Sequence, residues 1–116
     1  MSNKKILNIE TFNCKIHFII TNNIKKDILK VYNKYNVQYD DFDVEGIVIR
    51  GDLNIYYLII DVECLSHNTL AHEIYHTTVR ITEDRDVVDE ETQAWLCGFI
   101  TESAYKFIKQ KKLEIK

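Results

Sequence analysis

The spacing of apolar residues predicts one strand and one helix in the first third of the chain. In residues 13–21, β-branched and aromatic residues alternate with polar ones, as in a strand with one buried face. That face carries Cys14, Ile16, Phe18 and Ile20. In residues 24–35 the apolar positions recur at helical spacing instead. Residues 1–11 follow neither pattern, so we expect a loosely held arm or a short edge element there.

The middle of the chain predicts two strands that form a hairpin. Residues 44–50 and 53–62 are both rich in β-forming side chains, and the dipeptide Gly51-Asp52 between them resembles a tight turn. The second strand is apolar on both faces, as in a central strand that is covered on both sides. Residues 36–43 are acidic and polar, which indicates a loop.

The last third of the chain predicts two helices. Ser66 or Asn68 can cap the first, which runs to about residue 81 and is followed by an acidic connection over residues 82–89. The second begins at Val88 or Glu90 and ends near residue 111. Its middle is apolar almost all round, so we expect it to be buried between other elements.

The order strand-helix-strand-strand-helix-helix predicts an α+β fold with a small mixed sheet. All 116 residues fit one domain, residues 1–116, because half of this length could not bury a core of its own. The formal net charge of −3 argues against a protein that works by neutralising phosphates. We therefore expect no nucleic-acid partner.

The cysteines and the apolar runs indicate where the protein works. Cys14, Cys64 and Cys97 are odd in number and widely spaced, so we expect free thiols in a reducing compartment rather than a disulfide scaffold. The longest apolar run is too short for a signal peptide or a membrane span. We expect a cytoplasmic protein of a bacterial cell or a phage-infected host, without a membrane partner.

Residues 72–76, His-Glu-Ile-Tyr-His, carry the chemistry that the sequence indicates most strongly. Residues four apart share one face of a helix, so His72 and His76 can present two imidazoles to one metal ion. Zinc suits such ligands and keeps an open position for water when a third protein ligand completes the set. Glu73 lies close enough to take a proton from that water, as in metal-assisted hydrolysis of a peptide bond.

The third metal ligand has to come from another part of the chain. His67 is about 140° round the helix from His72 and points away from it. A carboxylate is the better candidate, and the acidic residues available are Asp84, Asp86, Asp89, Glu90, Glu91 and Glu102. We favour Glu91, which begins the last helix on the same face as Gly98, where two helices can approach closely. Glu90 is the next choice, and Glu102 is a deeper alternative.

These two segments together resemble a family. The motif His72-Glu73-Ile74-Tyr75-His76, followed by Glu91 in Glu-Thr-Gln-Ala-Trp-Leu-Cys-Gly-Phe-Ile, resembles Glu-type zincin metallopeptidases. The second segment is similar to small phage-encoded zincin-like proteins and, more weakly, to the ImmA/IrrE group. The resemblance covers about residues 53–105. It implies a minimal zincin-like fold in which His72, His76 and Glu91 bind Zn²⁺ and Glu73 is the general base.

One departure from the family concerns the residue that orients a ligand histidine. Larger relatives often place an aspartate four residues after the ligand glutamate, whereas this chain has Trp95 there. Glu102 or Asp61 could take that role. The donors available to stabilise the oxyanion of the reaction are His67, Tyr75, Arg80 and Tyr105. A substrate peptide could pair with the strand over residues 53–62, unless that strand lies inside the sheet.

Two functions follow from this pattern. The first is a zinc-dependent metallopeptidase of the metalloendopeptidase type, which hydrolyses a peptide or protein substrate with a metal-activated water. The alternative is a catalytically weak or inactive zincin-like protein that binds metal and serves an accessory or regulatory role, for example in a phage. The small size of the chain makes a shallow cleft, which is the feature that keeps the alternative open.

Overall fold

The computed structural model describes residues 2–36, 44–52 and 54–116, and these ranges contain four strands and three α-helices. The elements in chain order are β1 Ser2–Ile9, β2 Cys14–Thr21, α1 Ile24–Lys34, β3 Gly46–Arg50, β4 Ile55–Asp61, α2 His67–Asp84 and α3 Glu90–Gln110. Short 3-10 turns follow β1 and β4. The α+β class is confirmed, and most of the predicted loop at residues 36–43 lies outside the described residues.

The four strands form one mixed sheet in the order β1-β2-β4-β3. β1 is antiparallel to β2, β2 is parallel to β4, and β3 is antiparallel to β4. Residues 2–9 are therefore an edge strand of eight residues, so the edge element is confirmed, although it is not short, and the alternative of a loosely held arm is wrong. Eight register pairs with β2, from Ser2–Thr21 to Ile9–Cys14, hold this segment in the sheet.

The sheet is covered by helices on both faces, which explains the burial of β2 and β4. The predicted inner face of β2 is buried and belongs to the larger core cluster, together with residues of α2 and α3 such as Leu70 and Ile100. The opposite face carries a second cluster, in which Ile19 and Ile59 pack with Ile28 of α1. The apolar character of β4 on both sides thus reflects its interior position.

Side-chain caps fix where the helices begin. The side chain of Asn23 accepts a hydrogen bond from the N–H of Lys26, and Ser66 accepts one from Thr69 in the same way. Asp89 caps α3 through the N–H of Thr92. The predicted starts are confirmed within two residues, whereas α2 extends to Asp84 and so includes the beginning of the predicted connection.

One helix is less buried than its sequence indicates. Only one face of α3 meets the core, through Leu96, Ile100, Ala104, Phe107 and Ile108. Trp95 and Phe99 lie on the other side, 49% and 36% exposed, with their rings stacked at 5.6 Å between centroids. The expectation of burial all round was wrong because, among the described elements, α3 packs mainly on α2 and on β1, which leaves much of its surface exposed.

Cys14, Cys64 and Cys97 all lie in the described ranges and form no disulfide with one another, as expected. Over the described ranges, none of the helices combines the length and the apolar character needed to cross a membrane.

Polar contacts fasten the end of α2 to the sheet. The Asp84 carboxylate accepts hydrogen bonds from Arg50 Nε at 2.7 Å and from the Tyr56 hydroxyl at 2.5 Å. Arg85 donates from Nε to the carbonyl oxygen of Phe12 and from Nη1 to the Tyr56 hydroxyl, both at 2.9 Å. These bonds join α2 to β3, to β4 and to the turn after β1.

The same contacts lower the pKa of the Asp84 carboxyl group. Burial by itself raises this pKa, but the hydrogen bonds from Tyr56 and Arg50 and the nearby guanidinium charges outweigh it. Because the pKa is lower in the folded than in the unfolded chain, ionised Asp84 stabilises the fold at every pH above about 3.9, the ordinary aspartate value. The stabilisation is lost as the pH falls through the lowered pKa of the folded state.

We predict that Asp84→Asn lowers the free energy of unfolding by about 1 kcal/mol at pH 7, since the group is partly exposed and its ion pair is screened. The difference from the wild type shrinks as the pH falls below about 4 towards the lowered pKa of the folded state, where the wild-type carboxylate becomes protonated. Urea unfolding at pH 7 and pH 3 measures both values. Asp86→Asn is the control, because Asp86 is exposed and has a positive φ that asparagine also tolerates. Equal losses in the two variants would contradict the prediction.

Candidate metal centre

The helix α2 carries the His-Glu-Ile-Tyr-His motif along a cleft beside the edge strand β3. Leu70, Ile74 and Ile81 are buried on the side that packs into the core, as their spacing predicts. Two adjoining hollows of about 220 and 210 Å³ are lined by residues of the motif and of β3. Both are lined by Gly46, His72 and Glu73, and the second also by Val48, His76 and Arg80.

The two histidine side chains converge as the motif predicts. Nε2 of His72 lies 3.1 Å from Nε2 of His76, and the ring planes cross at 75°. Two nitrogens that bind one tetrahedral Zn²⁺ at 2.0–2.1 Å lie about 3.3 Å apart. The separation of the two nitrogens is therefore close to that of two ligands of one zinc ion. The same separation also suits a hydrogen bond between the rings, which a metal ion would replace once both Nε2 atoms are unprotonated.

Glu73 lies beneath the histidines in a nearly closed position. Its side chain is 9% exposed, and its Oε2 is 3.9 Å from Nε2 of His72. Burial raises the pKa of this carboxyl group, while the neighbouring His72, His76 and Arg80 act in the opposite direction. A carboxylate whose proton affinity is raised in this way is suited to accept a proton from a water molecule held in the cleft.

Gly46 at the start of β3 makes room for Glu73. A Cβ atom at Gly46 would lie 2.9 Å from Cγ of Glu73, closer than non-bonded carbon atoms approach each other. The strand and the helix thus meet at this point without a side chain between them. The sequence contains a signal for this contact, since glycine in a strand often marks a close approach, although Gly46 was not among the predicted site residues.

The predicted third ligand does not lie in this cleft. Glu91 is exposed in the first turn of α3, a helix that packs on the other side of α2 and on β1. Among the residues that the structure describes, three or more His, Cys, Asp or Glu side chains are nowhere grouped so that they could hold a metal ion. The structure brings His72, Glu73 and His76 together, and the identity of the third ligand stays a prediction.

The other predicted site residues have partners outside the two hollows. Nδ1 of His67 and the hydroxyl of Tyr105 share a hydrogen bond of 2.6 Å, and their rings stack. Glu102 accepts a hydrogen bond from Lys106 at 3.3 Å on the exposed side of α3. Asp61 caps the turn after β4 through the N–H of Glu63. None of these residues lines the cleft beside the histidines.

Arg80 and Glu45 lie beside the motif because of contacts between distant parts of the chain, which sequence patterns do not reveal. Arg80, one of four oxyanion donors that the sequence left unranked, donates from Nη1 to the carbonyl oxygen of Val48 at 2.9 Å. Glu45 accepts a hydrogen bond from the Thr69 hydroxyl at 3.4 Å, one turn before His72. The chain positions in each pair are 32 and 24 apart, so only the folded sheet brings them together.

The strand that borders the cleft is β3, and not the strand predicted to receive a substrate. β4 pairs with β2 on one side and with β3 on the other, so of the two possibilities that the sequence left open it is the interior strand without a free edge. The N–H of Asp61 bonds to the carbonyl oxygen of Glu45, and alternate residues of an antiparallel strand bond to the same neighbour. Gly46, Val48 and Arg50 therefore direct their backbone groups away from the sheet.

We predict opposite effects when alanine replaces two of the glycines. Gly46→Ala should lower the free energy of unfolding by about 1–3 kcal/mol, because the new methyl group overlaps the buried Glu73. Gly98→Ala should raise it by about 0.5–1 kcal/mol, since a Cβ there meets no atom within 4 Å and alanine favours the helix. Urea unfolding of both variants measures these changes. A neutral Gly46→Ala variant would show that β3 and α2 do not meet this closely.

Comparisons with known proteins do not assign this chain to a protein family. The chain matches no family model, no curated protein and no solved structure. Its function therefore has to be argued from the chemistry of the cleft.

Proposed function

We propose that the protein is a zinc-dependent metallopeptidase that hydrolyses a peptide bond with a metal-activated water. The observation that carries this proposal is the convergence of two imidazole nitrogens, 3.1 Å apart, directly beside the buried carboxylate of Glu73. Histidines four residues apart share one face of any helix, so the desolvated acid beside them in a cleft is the feature that points to metal chemistry. The resemblance of the motif to Glu-type zincins points to the same activity.

Each residue of the motif has a defined task in this proposal. His72 and His76 would hold the ion through Nε2, and Glu73 would accept a proton from the attacking water and return it to the leaving amine. Zinc, when bound, supplies the Lewis acid that polarises the carbonyl group and makes water acidic enough to react near neutral pH. The burial of Glu73 raises its proton affinity, which supports the role of general base.

The edge strand β3 supports a path for the substrate. Its outward backbone groups at Gly46 and Arg50 can pair with an extended peptide, which would then run beside the histidines. Strand pairing gives affinity through the main chain and leaves selectivity to the side chains around the cleft. In this proposal the substrate peptide pairs with β3 and not with the strand over residues 53–62.

Two residues are candidates for the third ligand. Glu91 is favoured by the family resemblance, but it would have to cross from the far side of α2. Glu45 already lines the hollow beside His72, and its exposed carboxylate accepts a hydrogen bond of 3.4 Å from Thr69. Rotation of its side chain is a smaller change than a shift of helix α3.

We predict that the purified protein binds one Zn²⁺, and that His72→Ala and His76→Ala each weaken binding by more than 100-fold. Loss of a ligand has a larger effect than the roughly 10–100-fold cost of losing a residue that only orients one. Competition with a chromophoric chelator measures the affinities. His67→Ala is the control and should bind like the wild type. Glu45→Gln and Glu91→Gln then identify the third ligand as the one whose loss weakens binding. A wild type that binds no zinc would overturn the proposed function.

We also predict that Glu73→Gln reduces hydrolysis by about 10²–10⁴-fold while zinc affinity is retained, because the variant keeps both imidazoles and loses only the base. Digestion of a mixed peptide library, followed by mass spectrometry, measures the activity. Equal hydrolysis by wild type and variant would contradict a catalytic role for Glu73.

A second function is favoured by one observation, namely that no third ligand joins the histidines among the described residues. A protein that binds metal through two histidines without completing a catalytic set would serve as a metal-binding accessory or regulatory protein. Zinc binding without any hydrolysis in the same two experiments would support this alternative.

A further inference from the structure

Arg80 is a half-buried cation at the rim of the cleft. It lies one helical turn after His76 and lines the same hollow as His72, Glu73 and His76. Its Nη1 donates to the carbonyl oxygen of Val48 at 2.9 Å, which fixes the guanidinium group against the edge strand. An arginine has five N–H donors in a planar fork, so four remain after this bond.

Within the part of the chain that the structure describes, this guanidinium group pairs with no carboxylate, although two acids stand at the usual helical spacing. Glu83 and Asp84 follow Arg80 by three and four residues, where ion pairs commonly form. Asp84 is instead engaged by Arg50 and Tyr56. Among the residues that the structure describes, Arg80 has no ion pair within 4.0 Å, and Glu73 acts on it only at longer range.

We propose that Arg80 binds a carboxylate of the substrate, so that the cleft selects peptides with an acidic group near the bond to be cleaved. The group is either the free C-terminus of a peptide or the side chain of an aspartate or glutamate. Arginine matches a carboxylate with two parallel hydrogen bonds, and partial burial strengthens them. The selection of acidic peptides rests on the proposed peptidase function, whereas binding of the carboxylate can be measured without it.

The position of Arg80 places this contact on the path proposed for the substrate. Val48 directs its carbonyl group away from the sheet, and Arg80 is attached to that group. A peptide paired with β3 would therefore pass the remaining N–H donors of the guanidinium group. A merely structural role, in which Arg80 only balances the charge of Glu73, would give no preference between acidic and neutral peptides.

The chain contains three arginines, which allows a site-specific test by nuclear magnetic resonance. Nε of Arg50 donates to Asp84 and Nε of Arg85 donates to Phe12, whereas the one bond of Arg80 uses Nη1. Each ¹⁵Nε resonance is assigned by substituting one arginine with lysine. The probes are acetyl-tetraalanine with a free or an amidated C-terminus, and amidated alanine pentapeptides with a central aspartate or asparagine. Each probe is titrated into the metal-free protein and into protein with added Zn²⁺.

We expect at least one acidic peptide to bind about 10- to 100-fold more tightly than its neutral partner and to shift the Arg80 resonance alone. The two peptide pairs show whether the C-terminus or the acidic side chain is the source. Arg80→Gln should abolish the preference and Arg80→Lys should keep part of it, while both variants retain the urea-unfolding profile of a folded domain. Equal binding within both pairs, binding of no probe, or a shift at Arg50 or Arg85 instead would overturn the inference. A failure to bind zinc would refute only the peptidase function.

Discussion

The contact between Gly46 and Glu73 is the constraint on which the cleft depends. Because no side chain stands between them, β3 lies directly against α2, and the carboxylate loses most of its contact with water. The same approach leaves the imidazoles of His72 and His76 on the open side of the helix. It also brings Val48 within reach of Arg80. The missing methyl group thus permits the close approach that buries the acid beside the strand to which Arg80 is bonded.

Charged groups also join β3 and α2 at the ends of the two elements that lie farther along the chain. Arg50, at the end of β3, bonds to Asp84 at the end of α2, and Tyr56 joins the same carboxylate from β4. Strand and helix therefore run side by side with attachments at both ends and at Arg80 between them. Chemistry that depends on distances of a few ångströms benefits from residues held on such rigid elements. The motif lies on a helix that has little freedom to shift along the strand.

Much of the fold can be predicted from the sequence, and the reasons are local. The caps at Asn23, Ser66 and Asp89 mark helix starts through bonds within four residues, and the convergence of His72 and His76 needs only one helical turn. The parts that sequence reasoning missed depend on which elements become neighbours. The edge position of β3 and the exposure of Trp95 follow from the strand order and from the side of α2 on which α3 packs. Apolar spacing carries no information about either.

The two edge strands of the sheet, β1 and β3, differ in length and in the side chains beside their free backbone groups. β1 offers eight residues of unpaired edge, and its adjacent exposed lysines, Lys4 and Lys5, make stacking with a neighbouring molecule unfavourable. β3 is only five residues long, and Arg80 covers the carbonyl group at its centre. An exposed edge strand is a common starting point for aggregation, and a short edge strand limits it. The bond from Arg80 occupies one of the outward acceptors of β3, so this edge offers fewer backbone groups to a second molecule.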